Sequence, residues 1–263
     1  MKIAYLGQVN APTFTLKAAQ QMLPEADLIP IKSIPRVIKS VENGECDGAV
    51  IPYENVYNFT VTSTLKQLLR THLVINKQLQ IQVKHCFGYN PDSQNVTCIY
   101  SKDQALEQCE LWLDERYPDA ELISVSSTGE GANIARNTHG AGAIAPIGSM
   151  SGLVGVIEDI VPDNYTRFLQ LGHSYGVRTG KDSTLSVLDI TNKREPGMLE
   201  RCLGAYRQNG INHSCVQSWP KAGGGYYFII ESDAHAQDEI MQESLDKIRW
   251  MGVGVKIVGS YNQ

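Results

Sequence analysis

The sequence predicts an α/β protein. It has a two-lobed region of alternating strands and helices over residues 1–180, then a ferredoxin-like βαββαβ domain over 181–263. Three observations predict it. Short apolar strand patterns alternate with helical ones through the first region, which is the signature of a sheet covered by helices. Beyond Gly180 the order becomes strand, helix, strand, strand, helix, strand, the split βαβ arrangement. The length of 263 residues, at 42% hydrophobic and 19% charged, exceeds one average domain and supplies enough apolar side chains for a real core.

Lys2–Leu6, with Ile3, Ala4 and Leu6 before Gly7, reads as the first strand. Phe14, Ala18 and Met22 fall on one face of a helix over Phe14–Leu23, and Pro24 ends it. Ala26–Ile31 is the next strand. Ser33 caps a second helix with Pro35 in its first turn, and Ile34, Val37, Ile38 and Val41 form its buried stripe up to Asn43-Gly44. Gly48-Ala49-Val50-Ile51-Pro52 is a short buried strand. Leu79–Lys84 alternates apolar and polar residues, the period of a half-exposed strand. Asn95–Tyr100 is a strand, and Asp103–Tyr117 is a helix with Leu106, Cys109, Trp112 and Leu113 turned inward. Leu122–Val125, Ala141–Ala145 and Val154–Ile157 are three further strands. Crossing segments at Val74–Val83 and Ile157–Phe168 divide the region into two lobes, the second over residues 78–158, with a cleft expected between them. The last domain then runs Ser183–Ile190 (strand), Pro196–Gln208 (helix), Ile211–Trp219 and Tyr226–Ser232 (strands joined by the Gly-rich Lys221–Gly225 turn), Gln237–Trp250 (helix) and Val253–Val258 (strand).

Composition narrows the function classes. With 23 basic and 28 acidic residues the formal charge is −5, whereas a nucleic-acid binder carries a basic surplus. No nucleic-acid partner is expected; the partners are small molecules or a second copy of the chain. No apolar run reaches roughly 18 residues, so no membrane span is expected. The opening residues read as a strand and not as a signal peptide, which points to a cytoplasmic protein. Cys46, Cys86, Cys98, Cys109, Cys202 and Cys215 form no Cys-x-x-Cys pair and read as small buried apolar residues. The six histidines have no i,i+4 pair, so a metal enzyme is not indicated.

Three places carry possible chemistry. Ser126-Ser127-Thr128-Gly129 precedes a helix, and free N–H groups with hydroxyls at a helix start bind anions; taken alone it is more simply an N-cap. Asn164-Tyr165-Thr166-Arg167-Phe168 sets a hydroxyl beside a guanidinium able to hold a carboxylate in two bonds, although a lone Arg is more often exposed and structural. Pro52-Tyr53-Glu54-Asn55 ends a buried strand, where function gathers in open α/β sheets; its plainer reading is a strand-ending turn.

In order, these segments resemble the prephenate dehydratase family. Tyr5-Leu6-Gly7 with Thr13-Phe14-Thr15 and Ala18-Ala19 is similar to the family's opening Gly-Pro-x-Gly-Thr-Phe-Ser. Pro52-Tyr53-Glu54-Asn55 is similar to Pro-Ile-Glu-Asn-Ser. Ser101 with Gln104-Ala105-Leu106 and Gln108-Cys109 resembles the Ser-His-Pro-Gln-Ala-Leu helix, and Ser127-Thr128 the Ser-Thr-Ala turn. Asn164-x-Thr166-Arg167-Phe168 matches Thr-Arg-Phe. The resemblance implies a periplasmic-binding-protein-like two-lobed catalytic region (1–180) and a C-terminal ACT regulatory and dimerisation domain (181–263). It implies a lyase that turns prephenate into phenylpyruvate for phenylalanine biosynthesis. Thr166, Arg167 and Phe168 would be the catalytic motif, with Thr166 as proton donor and Arg167 holding a carboxylate. Asn55, Ser127, Thr128, Thr13 and Asn164 would bind substrate. No metal or organic cofactor is implied. The ACT domain implies a homodimer or homotetramer and a phenylalanine effector near Gly197, Met198, Leu199, Gln217 and Ser218.

The departures are specific. Gln8 and Pro12 replace a Pro and a Gly in the first motif, and two extra residues separate Gly7 from Thr13. Tyr53 and Val56 replace Ile and Ser in the second, and Asn58-Phe59 replaces the Glu-Gly that follows it. Lys102-Asp103 replaces His-Pro. Gln217-Ser218-Trp219-Pro220 stands where the effector motif has Glu-Ser-Arg-Pro, losing both charges. A changed Tyr53–Phe59 loop leaves an arogenate dehydratase, a prephenate decarboxylase-like enzyme or a non-catalytic amino-acid sensor as the alternatives. The decarboxylase group lacks Thr-Arg-Phe and the ACT domain, both of which this chain keeps.

Overall fold

The structure, a computed structural model, describes residues 1–9, 13–190 and 195–262. Pro12 therefore lies outside the described residues. The chain divides into two compact units, one of Met1–Glu54, Thr60–Ile81 and Arg167–Gln263, the other of Asn55–Phe59 and Gln82–Thr166.

The first unit opens with β1 (Lys2–Leu6), α1 (Phe14–Met22), β2 (Asp27–Ile31), α2 (Ile34–Glu42) and β3 (Gly48–Asn55), then β4 (Phe59–Thr60), α3 (Thr62–Leu68) and β5 (Val74–Gln82). Thr13 caps α1, its hydroxyl accepting from the Leu16 N–H at 3.1 Å. In α2 the predicted stripe of Ile34, Val37, Ile38 and Val41 is buried, with Pro35 in the first turn. β1 pairs in parallel with both β2 and β3. Helix α3 has no counterpart among the predicted elements; its seven residues are only two turns, whose buried face is Thr64, Leu65 and Leu68. β5 begins at Val74, well before the alternating Leu79–Lys84 stretch, since polar Asn76, Lys77 and Gln78 interrupt the alternation.

The second unit holds β6 (Cys86–Tyr89), β7 (Cys98–Ser101), α4 (Asp103–Gln108), α5 (Glu110–Arg116), β8 (Glu121–Ser124), α6 (Thr128–Arg136), β9 (Ala141–Ala145) and β10 (Val154–Ile157). Its strands form a sheet ordered β10-β6-β9-β7-β8. The single helix predicted over Asp103–Tyr117 is two: Cys109, at φ −99° and ψ 3°, ends α4 and starts α5. That break leaves Gln108 at the end of a helix and buried. Helix α6 lies so close to β7 that a Cβ on Gly131 would stand 2.7 Å from the Tyr100 carbonyl oxygen, so only glycine fits there. Trp112 packs on Phe87 and Tyr117, with ring centroids 5.3 and 5.7 Å away.

The chain returns to the first unit through β11 (Tyr165–Gly172), whose residues from Arg167 onward belong there. It continues as β12 (Asp182–Asp189), α7 (Met198–Gln208), β13 (His213–Pro220), β14 (Tyr226–Ser232), α8 (Glu239–Trp250) and β15 (Gly254–Asn262). This is the predicted βαββαβ order, and its four strands are antiparallel in the order β13-β14-β12-β15. One face of these strands packs under α7 and α8 around Met198, Cys202, Tyr206, Leu245 and Ile248. The other face, including Leu185, Val187, Ile229, Val258 and Tyr261, shares a core with α2 and α3, and Trp219 packs half-buried against it. β15 meets β5 through one bridged pair, Gly259 with Ile75, so one sheet runs β13-β14-β12-β15-β5-β11-β3-β1-β2. Lys256 of β15 donates to the carbonyls of Leu68 and Thr71 at 2.9 and 2.7 Å, capping the C-terminal end of α3. Trp250, at the end of α8, is 89% exposed. All six cysteines are free, and Cys46, Cys86, Cys109 and Cys202 are buried. No helix among the described residues is long and apolar enough to cross a membrane.

Candidate active site

The Thr166–Arg167 peptide bond joins two very different environments. Successive strand residues point to opposite faces, so β11 sends the two side chains apart. Thr166 belongs to the second unit and Arg167 to the first.

On the Thr166 side the partners are uncharged. The Asn55 amide nitrogen donates to Thr166 Oγ1 at 3.0 Å, sharing its hydrogens with Asn164 Oδ1 at 2.6 Å and the Tyr165 carbonyl at 3.0 Å. Asn55 Oδ1 accepts from the backbone N–H groups of Tyr57 and Asn58 at 2.9 and 3.2 Å. Two backbone donors on that oxygen fix the amide's orientation without recourse to its flip state. Asn164 Nδ2 donates in turn to Gln108 Oε1 at 3.0 Å, and Gln108 Nε2 donates to Asn55 Oδ1 at 3.3 Å and to Asn58 Oδ1. The loop after β3 is pinned by Val56 N–H to the Tyr165 carbonyl and by the Tyr57 hydroxyl to the Pro162 carbonyl. Phe59 closes this loop with φ at +55°, in the left-handed region. That backbone explains why a glycine suits the position, where the resembling motif has Gly.

On the Arg167 side the partners are charged. The guanidinium, 8% exposed, bonds Glu231 Oε2 of β14 at 2.9 Å and Tyr261 Oη of β15 at 3.2 Å, and Glu54 Oε1 lies 3.3 Å away. Tyr261 donates its own hydrogen to Glu231 Oε1 at 2.8 Å. The Tyr53 ring lies under the guanidinium, 5.0 Å from its centroid. Burial works against the Arg167 charge, and the Tyr261 oxygen with Glu231 and Glu54 outweighs it, so its pKa rises. Burial is also the main cause raising the Glu54 carboxyl, which Arg167 opposes. Burial likewise lifts the Tyr53 and Tyr261 hydroxyls, which stay neutral.

The structure thus gathers Asn55, Asn164 and Thr166, and places the other predicted residues elsewhere. Arg167, expected to hold a substrate carboxylate, already holds two of the protein's own. Phe168 is 1% exposed and packs with Ile3, Tyr5 and Ala18; its ring is core. Ser127 caps α6 by accepting from the Glu130 N–H at 3.2 Å, while the Glu130 carboxylate accepts from the Ser126 N–H and hydroxyl. This is a reciprocal cap that fills the helix start with the chain's own acid. Thr128 is the first residue of α6 and, among the described residues, neither it nor Ser127 is hydrogen-bonded to the Asn55 group. Thr13 is the α1 cap. Of the effector set, Gly197 holds φ at +79° before α7, Met198 is buried beneath that helix, and Gln217 Oε1 accepts from the Thr60 hydroxyl at 3.0 Å. Leu199 is the second residue of α7 and Ser218 is exposed on β13. Gln108, His85, Glu231 and Tyr261 were not marked by sequence. Gln108 lies in a motif already noted; nothing in the pattern around Glu231 signals a partner for Arg167. Among the described residues no group of three or more His, Cys, Asp or Glu stands together as a metal cage.

Two α/β units, a hydroxyl held by carboxamides and a βαββαβ segment fit the class of small-molecule enzymes. Comparison with known proteins narrows it. The family pattern described as Prephenate dehydratase matches residues 3–175. A bifunctional chorismate mutase/prephenate dehydratase of Pseudomonas aeruginosa is 33% identical over 99% of this chain and 73% of its own length. The prephenate dehydratase of Bacillus subtilis is 28% identical over 99% of this chain and 98% of its own. The crystal structure of prephenate dehydratase from Arthrobacter aurescens in complex with L-Phe superimposes with a TM-score of 0.79, at 27% identity, covering 100% of this chain and 90% of that one. The chain belongs to the prephenate dehydratase family.

Proposed function

We infer that the protein is a prephenate dehydratase, a carbon–oxygen lyase that converts prephenate to phenylpyruvate, carbon dioxide and water. The observation that carries this is the Asn55–Thr166 hydrogen bond in a chain of this family. Prephenate carries a ring carboxylate and, at the opposite ring carbon, a hydroxyl. Cleavage of the ring carbon–carboxylate bond sends its electron pair into the ring, and the carbon–oxygen bond breaks as the hydroxyl takes a proton and leaves as water. Aromatisation supplies the driving force, so the protein's task is positioning and one proton. Thr166 is the proposed donor: Asn55 occupies a lone pair of Oγ1, which polarises the O–H and directs its hydrogen away from the amide. The alkoxide then recovers a proton from solvent. Asn164 and Asn55 hold the hydroxyl. Ser127, Thr128 and Thr13 are proposed to contribute hydrogen bonds to the substrate. Arg167 supplies local positive potential in a chain of net charge −5, and binds a substrate carboxylate by exchanging Glu54, the more exposed of its two acids.

Residues 181–263 are proposed to be the ACT domain, joining two or four chains, with phenylalanine as effector. The Arthrobacter protein's complex with L-Phe supports an amino-acid effector. Gln217 in place of Glu, already bonded to Thr60, supports a weakened or retuned response. The test is incubation of purified protein with prephenate, following phenylpyruvate by its alkaline absorbance. Product formation is expected. A decarboxylated, non-aromatic product would select a decarboxylase, turnover of arogenate alone would select that substrate, and no turnover with tight phenylalanine binding in calorimetry would select a sensor.

A further inference from the structure

The network on the Thr166 side extends one layer deeper than the residues just assigned. Gln108 is 9% exposed at the end of α4, and its Oε1 accepts from His85 Nε2 at 2.7 Å as well as from Asn164. The directions along this chain are forced from one end. The Tyr57 and Asn58 N–H groups fix Asn55 Oδ1 as the acceptor, so Gln108 must turn its NH₂ toward Asn55 and its oxygen toward Asn164 and His85. His85 must then carry its hydrogen on Nε2. Its Nδ1 is buried with no hydrogen-bond partner among the described residues, so a second proton there would have no acceptor, and burial outweighs the attraction of nearby Asp159. Burial accordingly lowers the His85 pKa and keeps the ring neutral. Reversing any one amide would set like atoms against each other along the whole path. The last consequence falls on Thr166: its oxygen is an acceptor from Asn55, and its own hydrogen has no acceptor among the described residues.

We propose that Gln108, anchored by His85, is a positioning residue for proton donation by Thr166, setting the amide directions of Asn55 and Asn164 so that the Thr166 hydrogen faces the leaving hydroxyl. The proposal rests on the dehydratase reading above. Both side chains are buried behind Asn55 and Asn164, and the role assigned to them is exerted through those amides. Their contribution is to a hydrogen bond that matters in the transition state, so kcat should fall while KM holds.

The experiment compares Gln108→Leu, His85→Leu and His85→Gln with wild type on prephenate, with thermal unfolding as the check of folding. Gln places an N–H donor near the position of His Nε2, whereas Leu does not. Gln108→Leu is expected to lower kcat by about 50-fold with KM within roughly three-fold, the scale of a misplaced catalytic group. His85→Leu is expected to lower kcat by about ten-fold, and His85→Gln to restore it to within about three-fold of wild type. A folded Gln108→Leu enzyme with wild-type kcat would overturn the proposal, as would His85→Gln being as slow as His85→Leu, since the ring would then only fill space. Should Gln108→Leu fail to fold, the two His85 variants decide. A wild type that leaves prephenate unchanged overturns the dehydratase reading instead. The coupling is then decided by unfolding free energies of Gln108→Leu, Thr166→Val and the double variant, where non-additivity supports the network and additivity refutes it.

Discussion

One peptide bond separates two solutions to holding a polar side chain inside a protein. Thr166 is held by neutral carboxamides whose directions are fixed by backbone N–H groups; Arg167 is held by two carboxylates and a phenol. A neutral network costs little to bury once every group is satisfied, and its strength lies in direction. An ionic cluster is costly to bury and strongly penalises loss of a partner. The first arrangement suits a reacting hydroxyl. The second suits a junction, and Glu231 and Tyr261 bring β14 and β15 to Arg167 of β11. The C-terminal βαββαβ segment therefore shares a sheet and a buried ion pair with β11.

The sharpest break in this comparison is Thr166→Ala. We expect kcat to fall by about 10³-fold with substrate affinity nearly unchanged, measured by phenylpyruvate formation and calorimetry; an unchanged rate would remove Thr166 from the mechanism. On the ionic side, Glu231→Leu should destabilise the fold by about 3–4 kcal/mol in urea unfolding, because it strands a buried guanidinium, whereas Glu54→Gln, at a half-buried partner, should cost no more than about 1 kcal/mol. Equal effects would mean that the cluster is not buried in solution.

The two sides should also answer pH with opposite signs. The folded pKa of His85 lies below its unfolded value, so the unfolded chain binds more protons on acidification. That stability is present above the unfolded value of about 6.5 and is lost as pH falls from there through the folded pKa. The folded pKa of Glu54 lies above its unfolded value, so its contribution is present below about 4.5 and is lost as pH rises through the folded pKa. His85→Gln should flatten the acid-side loss and Glu54→Gln the loss on raising pH, both read from unfolding midpoints across a pH series. The smallest effect is a gain: Phe59→Gly should stabilise by about 1 kcal/mol, since glycine adopts the positive φ without a Cβ penalty. A loss would mean the exposed Phe59 ring contributes contacts that outweigh the strain.

Much of this was legible in the sequence. The amphipathic α2, the capping of α6 and the terminal βαββαβ order follow from periodicity and cap residues, which are local, whereas the Thr13 cap of α1 was not read from them. The proximity of Asn55, Asn164 and Thr166 followed from the family motifs alone, since 109 residues separate Asn55 from its partner Asn164. What was not legible has one physical cause, long-range pairing between residues with no local signature. Glu231 reads as one acid in a strand and Tyr261 as one aromatic near the end, yet both determine what Arg167 is free to do. Phe168 shows the converse: a motif neighbour of two polar residues turned out to be core, because β11 is buried on both faces from Arg167 onward.

The placement of the tryptophans has a further use. Trp112 lies in the aromatic cluster of the second unit, Trp219 against the core of the first, and Trp250 in solvent at the end of α8. The protein thus carries a separate intrinsic fluorophore in each unit and a third as a solvent reference. With Trp250→Phe as background, single-tryptophan chains would give each unit its own emission signal, so that ligand responses and unfolding are resolved region by region without any added label.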